Sequence, residues 1–259
     1  MGSGGAREAI LRVAPRLDSR DLRLLYAYHC AGPTTPYMVA RRLGCSTATV
    51  YRRTRRLIEK RLVLPGVDGA PATGALLVSV KGCAVLYAHR LLDERGLVSC
   101  VSRVWRGVRG PPEALVGLLH AVALEAERRG LGLRCLSVCR PEEAALPVLR
   151  IVHRALELHV SEALSMADAL AEAAREAGME PGELRAAARL AFMLAARLLP
   201  AAVVRTGSHT AVIIVKEGSV YPFAVECSHP HGGLEEESLG YDCPLLRREV
   251  REALGSLLV

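Results

Sequence analysis

In the first part of the chain, apolar side chains recur every three or four positions, and residues that commonly end helices interrupt them. Leu22, Leu25 and Tyr26 follow this spacing, and either Asp18 or Ser19 can cap the first turn. The pattern therefore predicts a helix over residues 18–30.

Two further helices are predicted directly after this one, with a tight turn between them. Thr35 offers a capping hydroxyl immediately before Pro36, and Gly44 ends the short helix because it reaches positive φ easily. Ser46 can cap the next helix, which is predicted to run to about Leu62.

A hairpin and another helix are predicted to follow. Pro, Gly and Asp are concentrated in residues 65–71, and a β-prone run occupies residues 74–80. Apolar spacing then predicts a helix over residues 81–95.

The second half of the chain mixes long Ala- and Leu-rich segments with runs of β-branched residues. Helical spacing predicts helices over residues 113–129, 142–177, 181–199 and 244–258. Strands are predicted within residues 133–139 and 201–227, with a tight turn over residues 216–219.

These elements predict an α+β chain in which 259 residues form two domains. The second domain is expected to be a mostly helical α/β unit with a small β-hairpin or meander. In chain order, a flexible tail is predicted over residues 1–17 and a first domain over residues 18–95. A linker is predicted over residues 96–112 and the second domain over residues 113–259.

The formal net charge of +7 is distributed unevenly along the chain. Residues 1–110 carry 19 basic against 7 acidic side chains, whereas residues 111–259 carry 15 against 20. Within residues 41–61 there are eight basic residues and one acid. This asymmetry favours an anion-binding first half, although a basic surface that is merely solvated would give the same numbers.

Residues 35–52 and the order of the predicted elements resemble the winged helix-turn-helix domain of MarR- and ArsR-like transcription regulators. Two departures from the family pattern occur, since Arg61 stands where Gly is common and Thr54 where Leu is common. The resemblance covers about residues 18–95 and implies a domain that binds double-stranded DNA. It rests on Ala40, Leu43, Gly44, Ser46, Thr49, Val50 and Arg52.

The resemblance implies that the helix over residues 46–62 enters the major groove, which is wide enough for an α-helix. Arg52 and Arg53 are suited to the bidentate contact with guanine, and the loop around residues 66–74 contributes no Arg or Lys. The expected DNA-binding residues are Thr35, Ser46, Thr47, Thr49, Tyr51, Arg52, Arg53, Arg55 and Arg56.

We therefore expect a DNA-binding transcription regulator, not an enzyme, that forms a homodimer through its second half. A monomeric helical core would explain the same Ala- and Leu-rich helices. An alternative function is a winged-helix interaction module within a larger nucleic-acid or protein assembly, such as replication or chromosome-organisation machinery. The sequence does not identify a small-molecule effector.

Two thiols and two imidazoles near the C-terminus match the ligand types of a tetrahedral zinc site. They are Cys227, His229, His231 and Cys243. A surface loop with two exposed histidines would contain the same residues, so zinc is the one cofactor that the sequence suggests without establishing it.

A third function, a metal-dependent nucleic-acid enzyme, is suggested by the grouping of Lys216, Glu217 and Glu226. Short strands with charged ends produce such groupings by chance. No nucleophile with its base and no phosphate-binding Gly loop is found at motif spacing, and the sequence therefore favours a non-enzyme.

Eight cysteines occur singly and mostly among apolar neighbours, where free Cys behaves as a small hydrophobic residue. Internal disulfides are the alternative if the source is a hyperthermophile. The most apolar stretch, residues 190–204, is too short for a membrane span and contains Arg197 and Pro200. No signal sequence is recognised either, so we expect a cytoplasmic protein that does not bind membranes.

Overall fold

A computed structural model of the chain divides into two compact units, Met1–Arg140 and Pro141–Val259. The described residues are mostly helical with small antiparallel sheets, which agrees with the expected α+β class. The structure describes residues 3–65, 74–105, 108, 110–137, 140–195, 201–205, 209–216, 219–227 and 248.

The first element that the structure describes is helix α1, Ser3–Val13, within the segment over residues 1–17 where a flexible tail was expected. One face of α1 is fully buried and packs against α7, Pro112–Arg128. The prediction of a tail is therefore wrong, because the small apolar residues near the N-terminus form a helical stripe with a distant partner. The buried members of this stripe are Ala6, Ala9 and Ile10.

The three helices predicted within residues 18–62 are present and differ from the expected bounds by a few residues. Asp18, Thr35 and Ser46 occupy the positions before these helices, and the side chains of Asp18 and Thr35 accept the capping hydrogen bonds. They are α2, Ser19–Ala31, α3, Pro36–Leu43, and α4, Thr47–Glu59.

A two-stranded antiparallel hairpin follows α4, as predicted. Strand β1, Val63–Pro65, pairs with β2, Leu76–Val78, with Val63 opposite Val78. The backbone of Thr34 also exchanges hydrogen bonds with Leu76, at 3.1 and 2.8 Å, which ties the segment before α3 to the hairpin.

The predicted helix over residues 81–95 and the predicted linker over residues 96–112 are both corrected. Two helices occupy this region, α5, Val80–Ala88, and α6, Glu94–Ser102. The helical conformation is interrupted between them, where Arg90 has a φ of 60°. The Asp93 side chain then accepts a hydrogen bond from the Gly96 N–H at 2.7 Å and caps the start of α6.

A disulfide joins Cys83 on α5 to Cys100 on α6, with a Cα–Cα distance of 5.8 Å. Both side chains are buried. The expectation of free thiols is therefore wrong for Cys83 and Cys100, which form the alternative, an internal disulfide. Cys30 and Cys45 are free thiols and are exposed.

The first unit extends beyond the predicted domain boundary, because α7 packs against α1 and α6. A second domain starting at residue 113 is therefore replaced by a unit starting at Pro141. A 3-10 helix, Gly132–Ser137, occupies most of the stretch over residues 133–139 that was expected to be a strand.

The second unit begins with α8, Pro141–Ser161, and α9, Met166–Ala177, instead of one helix over residues 142–177. Ala163 interrupts the helix with a φ of 54°. The Ser165 hydroxyl then accepts a hydrogen bond from the Asp168 N–H at 3.1 Å and starts α9.

Helix α10, Pro181–Ala195, packs against α8 and α9 and precedes the strands. Strands β3, Ala201–Arg205, β4, His209–Lys216, and β5, Ser219–Cys227, form an antiparallel sheet in the order β3-β4-β5. The predicted meander is thus present in this unit.

The predicted helix over residues 244–258 lies outside the described residues except for Arg248. Within the described part of the chain, no helix combines the length and the apolar character that crossing a membrane requires.

Candidate nucleic-acid interface

The turn between α3 and α4 is built by local hydrogen bonds and one left-handed glycine. The Thr35 hydroxyl accepts a hydrogen bond from the Met38 N–H at 3.3 Å, and Gly44 adopts a φ of 61° at the end of α3. The Cys45 N–H donates to the Ala40 carbonyl at 3.0 Å. This geometry lets α4 begin immediately after α3 at a new angle.

Helix α4 has one buried face and one exposed face. The buried face consists of Val50, Thr54 and Leu57. The exposed face brings together most of the residues predicted to bind DNA, which are Thr47, Tyr51, Arg52, Arg55 and Arg56, while Thr49 is half-buried at the margin.

Ser46 occupies the position before α4 and is exposed, but its hydroxyl makes no capping hydrogen bond to the described backbone. The expectation of a serine cap is therefore corrected. By contrast, the half-buried Thr35 already uses its hydroxyl to cap α3.

Arg53 was expected to contact DNA, and the structure places it inward instead. Its Nη1 donates to Asp18 Oδ2 at 2.9 Å and to Asp21 Oδ1 at 2.5 Å. The Arg53 side chain is 15% exposed and that of Asp21 only 6%. The sequence did not indicate this orientation, because the two carboxylates lie at the start of α2, far from Arg53 in sequence.

The same contacts change the acid–base properties of these groups. The hydrogen bond from Arg53 lowers the pKa of Asp18, and the bond from the Asp21 N–H lowers it further. The two carboxylates in turn raise the pKa of Arg53. Arg53 is therefore a partner in an internal ion-pair network.

Thr54, which departs from the family pattern, pairs with a polar group in the core. Its hydroxyl lies 2.9 Å from the hydroxyl of Tyr28, and both side chains are buried. Burial raises the pKa of Tyr28. The pair satisfies two hydroxyls between α2 and α4 that would otherwise be costly to bury.

Arg61, the other departure, adopts a φ of 54° directly after α4. The Arg61 N–H donates a hydrogen bond to the Ile58 carbonyl at 2.8 Å, and the Leu62 N–H donates one to the Leu57 carbonyl at 2.9 Å. This is the helix-ending geometry that glycine fits best. The Arg61 side chain is exposed.

The end of α4 is also fastened to the start of α5, a feature that the sequence did not suggest. The Ser79 hydroxyl donates to the Arg61 carbonyl at 2.7 Å. A Cβ atom on Gly82 would lie 2.3 Å from the Leu62 carbonyl oxygen, so only glycine allows this approach.

Further cations lie near the exposed face of α4. Arg41 and Arg42 are exposed on the last turn of α3 and were missed as single candidates, although they belong to the basic segment over residues 41–61. Arg55 forms an exposed ion pair with Glu59 at 3.3 Å.

An open cleft of about 360 Å³ borders this exposed face. It lies where the start of α3, the middle of α4 and strand β2 meet. Its lining combines hydroxyl, guanidinium and apolar groups from Thr35, Tyr51, Thr54, Arg55, Ile58 and Leu76.

The predicted zinc ligands cannot be placed as a set. Cys227 ends β5, whereas His229, His231 and Cys243 lie outside the described residues. Elsewhere in the described residues, no group of three or more His, Cys, Asp or Glu side chains is arranged to hold a metal ion. The zinc site stays a prediction.

Lys216 and Glu226, two members of the group suggested for a metal-dependent enzyme, lie far apart in the described sheet. The register places Glu226 opposite Thr210, whereas Lys216 lies at the other end of β4 opposite Ser219. At roughly 3.3 Å per residue, these ends are about 20 Å apart. Glu217 lies outside the described residues.

Comparisons of the chain with protein-family models, with curated proteins and with solved structures found no match. The assignment of a function therefore rests on the geometry of the first unit.

Proposed function

We propose that the chain is a DNA-binding transcription regulator whose residues 18–95 act as a winged helix-turn-helix domain. The observation that carries the proposal is the exposed face of α4, where Arg52, Arg55 and Arg56 accompany Tyr51. A helix of this size fits the major groove of B-DNA, and in this type of domain the preceding helix, here α3, crosses the DNA backbone and positions the helix in the groove.

The exposed residues divide by the chemistry that each offers to DNA. Arg52, in the first half of α4, suits a bidentate contact to O6 and N7 of guanine. Arg55 and Arg56 lie about one turn later and suit phosphate oxygens. The segment over residues 66–74 contains no Arg or Lys, so it adds no cation to the interface.

The second unit is proposed to join two copies of the chain. A symmetric dimer presents two copies of α4 to half-sites about one helical turn apart on the DNA. Light scattering at micromolar concentration tests this step, and a mass of one chain would overturn it without affecting DNA binding by the first unit.

The proposal is tested by selecting bound sequences from random duplex DNA and then titrating salt against the best duplex. We expect enrichment of a palindromic site and a linear fall of log affinity with log salt, with a slope of about −0.9 per neutralised phosphate. An affinity that does not change with salt would overturn the proposal.

Arg52→Ala is the informative variant, and Arg95→Ala, which removes an exposed arginine from α6, is its control. Arg52→Ala should relax the preference at one base position, a loss of about 1–3 kcal/mol of discrimination. Unchanged sequence preference in Arg52→Ala would contradict the proposed orientation of α4.

A protein-interaction module is the second candidate, and one observation favours it. Tyr37 and Met38 on α3 are each about half exposed. Exposed apolar groups of this size are more typical of a protein surface that binds another protein. Binding of duplex DNA that is indifferent to sequence would favour this candidate.

A further inference from the structure

We propose that Arg53 is a positioning residue that sets which side of α4 faces the DNA, acting through the carboxylates of Asp18 and Asp21. The inference rests on the proposed function and adds a mechanism to it. We refer to these three residues as the α2–α4 clamp.

The clamp is built at the start of α2. Asp18 caps this helix by accepting a hydrogen bond from the Asp21 N–H at 2.7 Å, and the positive end of the helix dipole favours both acids. Arg53 Nη1 lies 3.0 and 2.9 Å from the two oxygens of Asp18 and 2.5 Å from Asp21 Oδ1. One guanidinium nitrogen thus joins two carboxylates and neutralises their mutual repulsion.

Apolar packing alone defines the rotation of α4 poorly. The buried face has only Val50, Thr54 and Leu57, and the middle one of these is polar. Hydrophobic contact is not directional, whereas a charge-assisted hydrogen bond is. The clamp therefore supplies the directional constraint that the small apolar face lacks.

The rotation matters because neighbouring residues on a helix point about 100° apart. With Arg53 turned toward α2, Arg52 and Arg55 point away from the core. A rotation that exposed Arg53 would turn its neighbours inward and leave the Asp21 carboxylate buried without its cation. Such a state is disfavoured because an unpaired buried charge is costly.

A second tie acts near the end of α4. Lys60 Nζ donates to the Arg16 carbonyl at 2.6 Å, just before α2. Of the eight basic residues in residues 41–61, Arg53 and Lys60 are thus turned to internal partners. Lys60 keeps its charge because its partner is a neutral carbonyl, so the segment offers at most seven cations to phosphates, which limits its share of the salt slope to about 6.

The variant Asp21→Asn distinguishes the clamp from long-range electrostatic attraction as the cause of a change in affinity for DNA. Removing a negative charge should strengthen binding to DNA if only long-range attraction matters. Because Asp21 is buried on α2, the clamp predicts the opposite, an affinity about tenfold lower with an unchanged salt slope. Arg53→Lys should restore most of the affinity that Arg53→Met loses, since it keeps a cation in place.

Arg56→Ala serves as the contrasting variant, because its side chain is exposed. It should reduce the salt slope by about 0.9, the signature of one lost phosphate contact. A loss of slope of the same size in Arg53→Met would overturn the inference, as would unchanged or higher affinity in Asp21→Asn. All variants are measured at a temperature where circular dichroism shows them folded.

A second measurement works without DNA and keeps the test decisive if Asp21→Asn does not fold. Asp18 is about half exposed, so Asp18→Asn removes half of the clamp with little change in the core. Hydrogen exchange should become several-fold faster in the amides of α4 and stay unchanged in α5. Unchanged exchange in α4 would overturn the clamp, whereas absence of duplex binding by the wild type would overturn only the proposed function.

Discussion

The two faces of α4 carry the same kinds of side chain and use them differently. On the face toward α2, Arg53 and Thr54 are tied to groups on that helix. On the opposite face, Arg52 and Arg56 are exposed. The count of cations in a segment therefore overstates what the segment can offer to a polyanion, because structure has already paired some of them.

The largest expected difference between the two faces concerns neighbouring apolar residues. Leu57 is fully buried, so Leu57→Ala should lower the free energy of unfolding by about 2–5 kcal/mol. Ile58 is 37% exposed, and Ile58→Ala should cost less than about 1 kcal/mol. Urea denaturation of both variants measures the difference, and equal losses would contradict the described orientation of α4.

The buried hydroxyl pair gives the next effect. Tyr28→Phe leaves the Thr54 hydroxyl without its partner in the core and should cost about 1–3 kcal/mol of stability. Adding Thr54→Val to this variant should recover most of the loss, because no polar group is then left unsatisfied. Thermal unfolding of the two single variants and the double variant tests the coupling. Additive losses would show that the hydroxyls do not depend on each other.

Arg61 and Arg90 provide a matched pair, because both have left-handed backbones immediately after a helix. Replacing either with Gly should raise the free energy of unfolding by about 1 kcal/mol, since Gly avoids the steric cost of a side chain there. Only Arg61→Gly should also weaken duplex binding, because Arg61 directly follows α4. Equal affinities in the two variants would show that the Arg61 side chain does not contribute to binding of DNA.

The smallest expected effect is on the exposed ion pair. The side chains of Arg55 and Glu59 are 84% and 62% exposed, so Arg55→Ala should change stability by less than about 0.5 kcal/mol. Its effect on duplex affinity should be larger, which denaturation and binding measurements on one preparation can compare. A large loss of stability would mean that Arg55 supports the fold.

The features of the fold whose signals are local were predictable from the sequence. Thr35, Pro36 and Gly44 mark the bounds of α3 because capping and positive φ act within one turn of the chain. Three signals of the same kind were not predicted: Ser79 before α5, Asp93 before α6 and Ser165 before α9, each of which accepts a hydrogen bond from the first turn of its helix.

What the sequence could not provide depended on distant partners. The side of α4 that faces inward was predictable from Val50 and Leu57, but Arg53 lies at the margin of that face and its orientation depends on Asp21 of α2. The Cys83–Cys100 disulfide depends in the same way on how α5 and α6 turn back on each other. Such pairings are set by tertiary packing, which local spacing does not specify.

The disulfide has a topological consequence for the connection between α5 and α6. Residues 83–100 form a closed covalent ring, and Arg90 and Arg95 lie exposed within it. A trypsin nick after either arginine would leave the polypeptide as one covalent piece. The nicked chain would run at full length on a non-reducing gel and separate into two fragments only after a thiol reductant opened the ring.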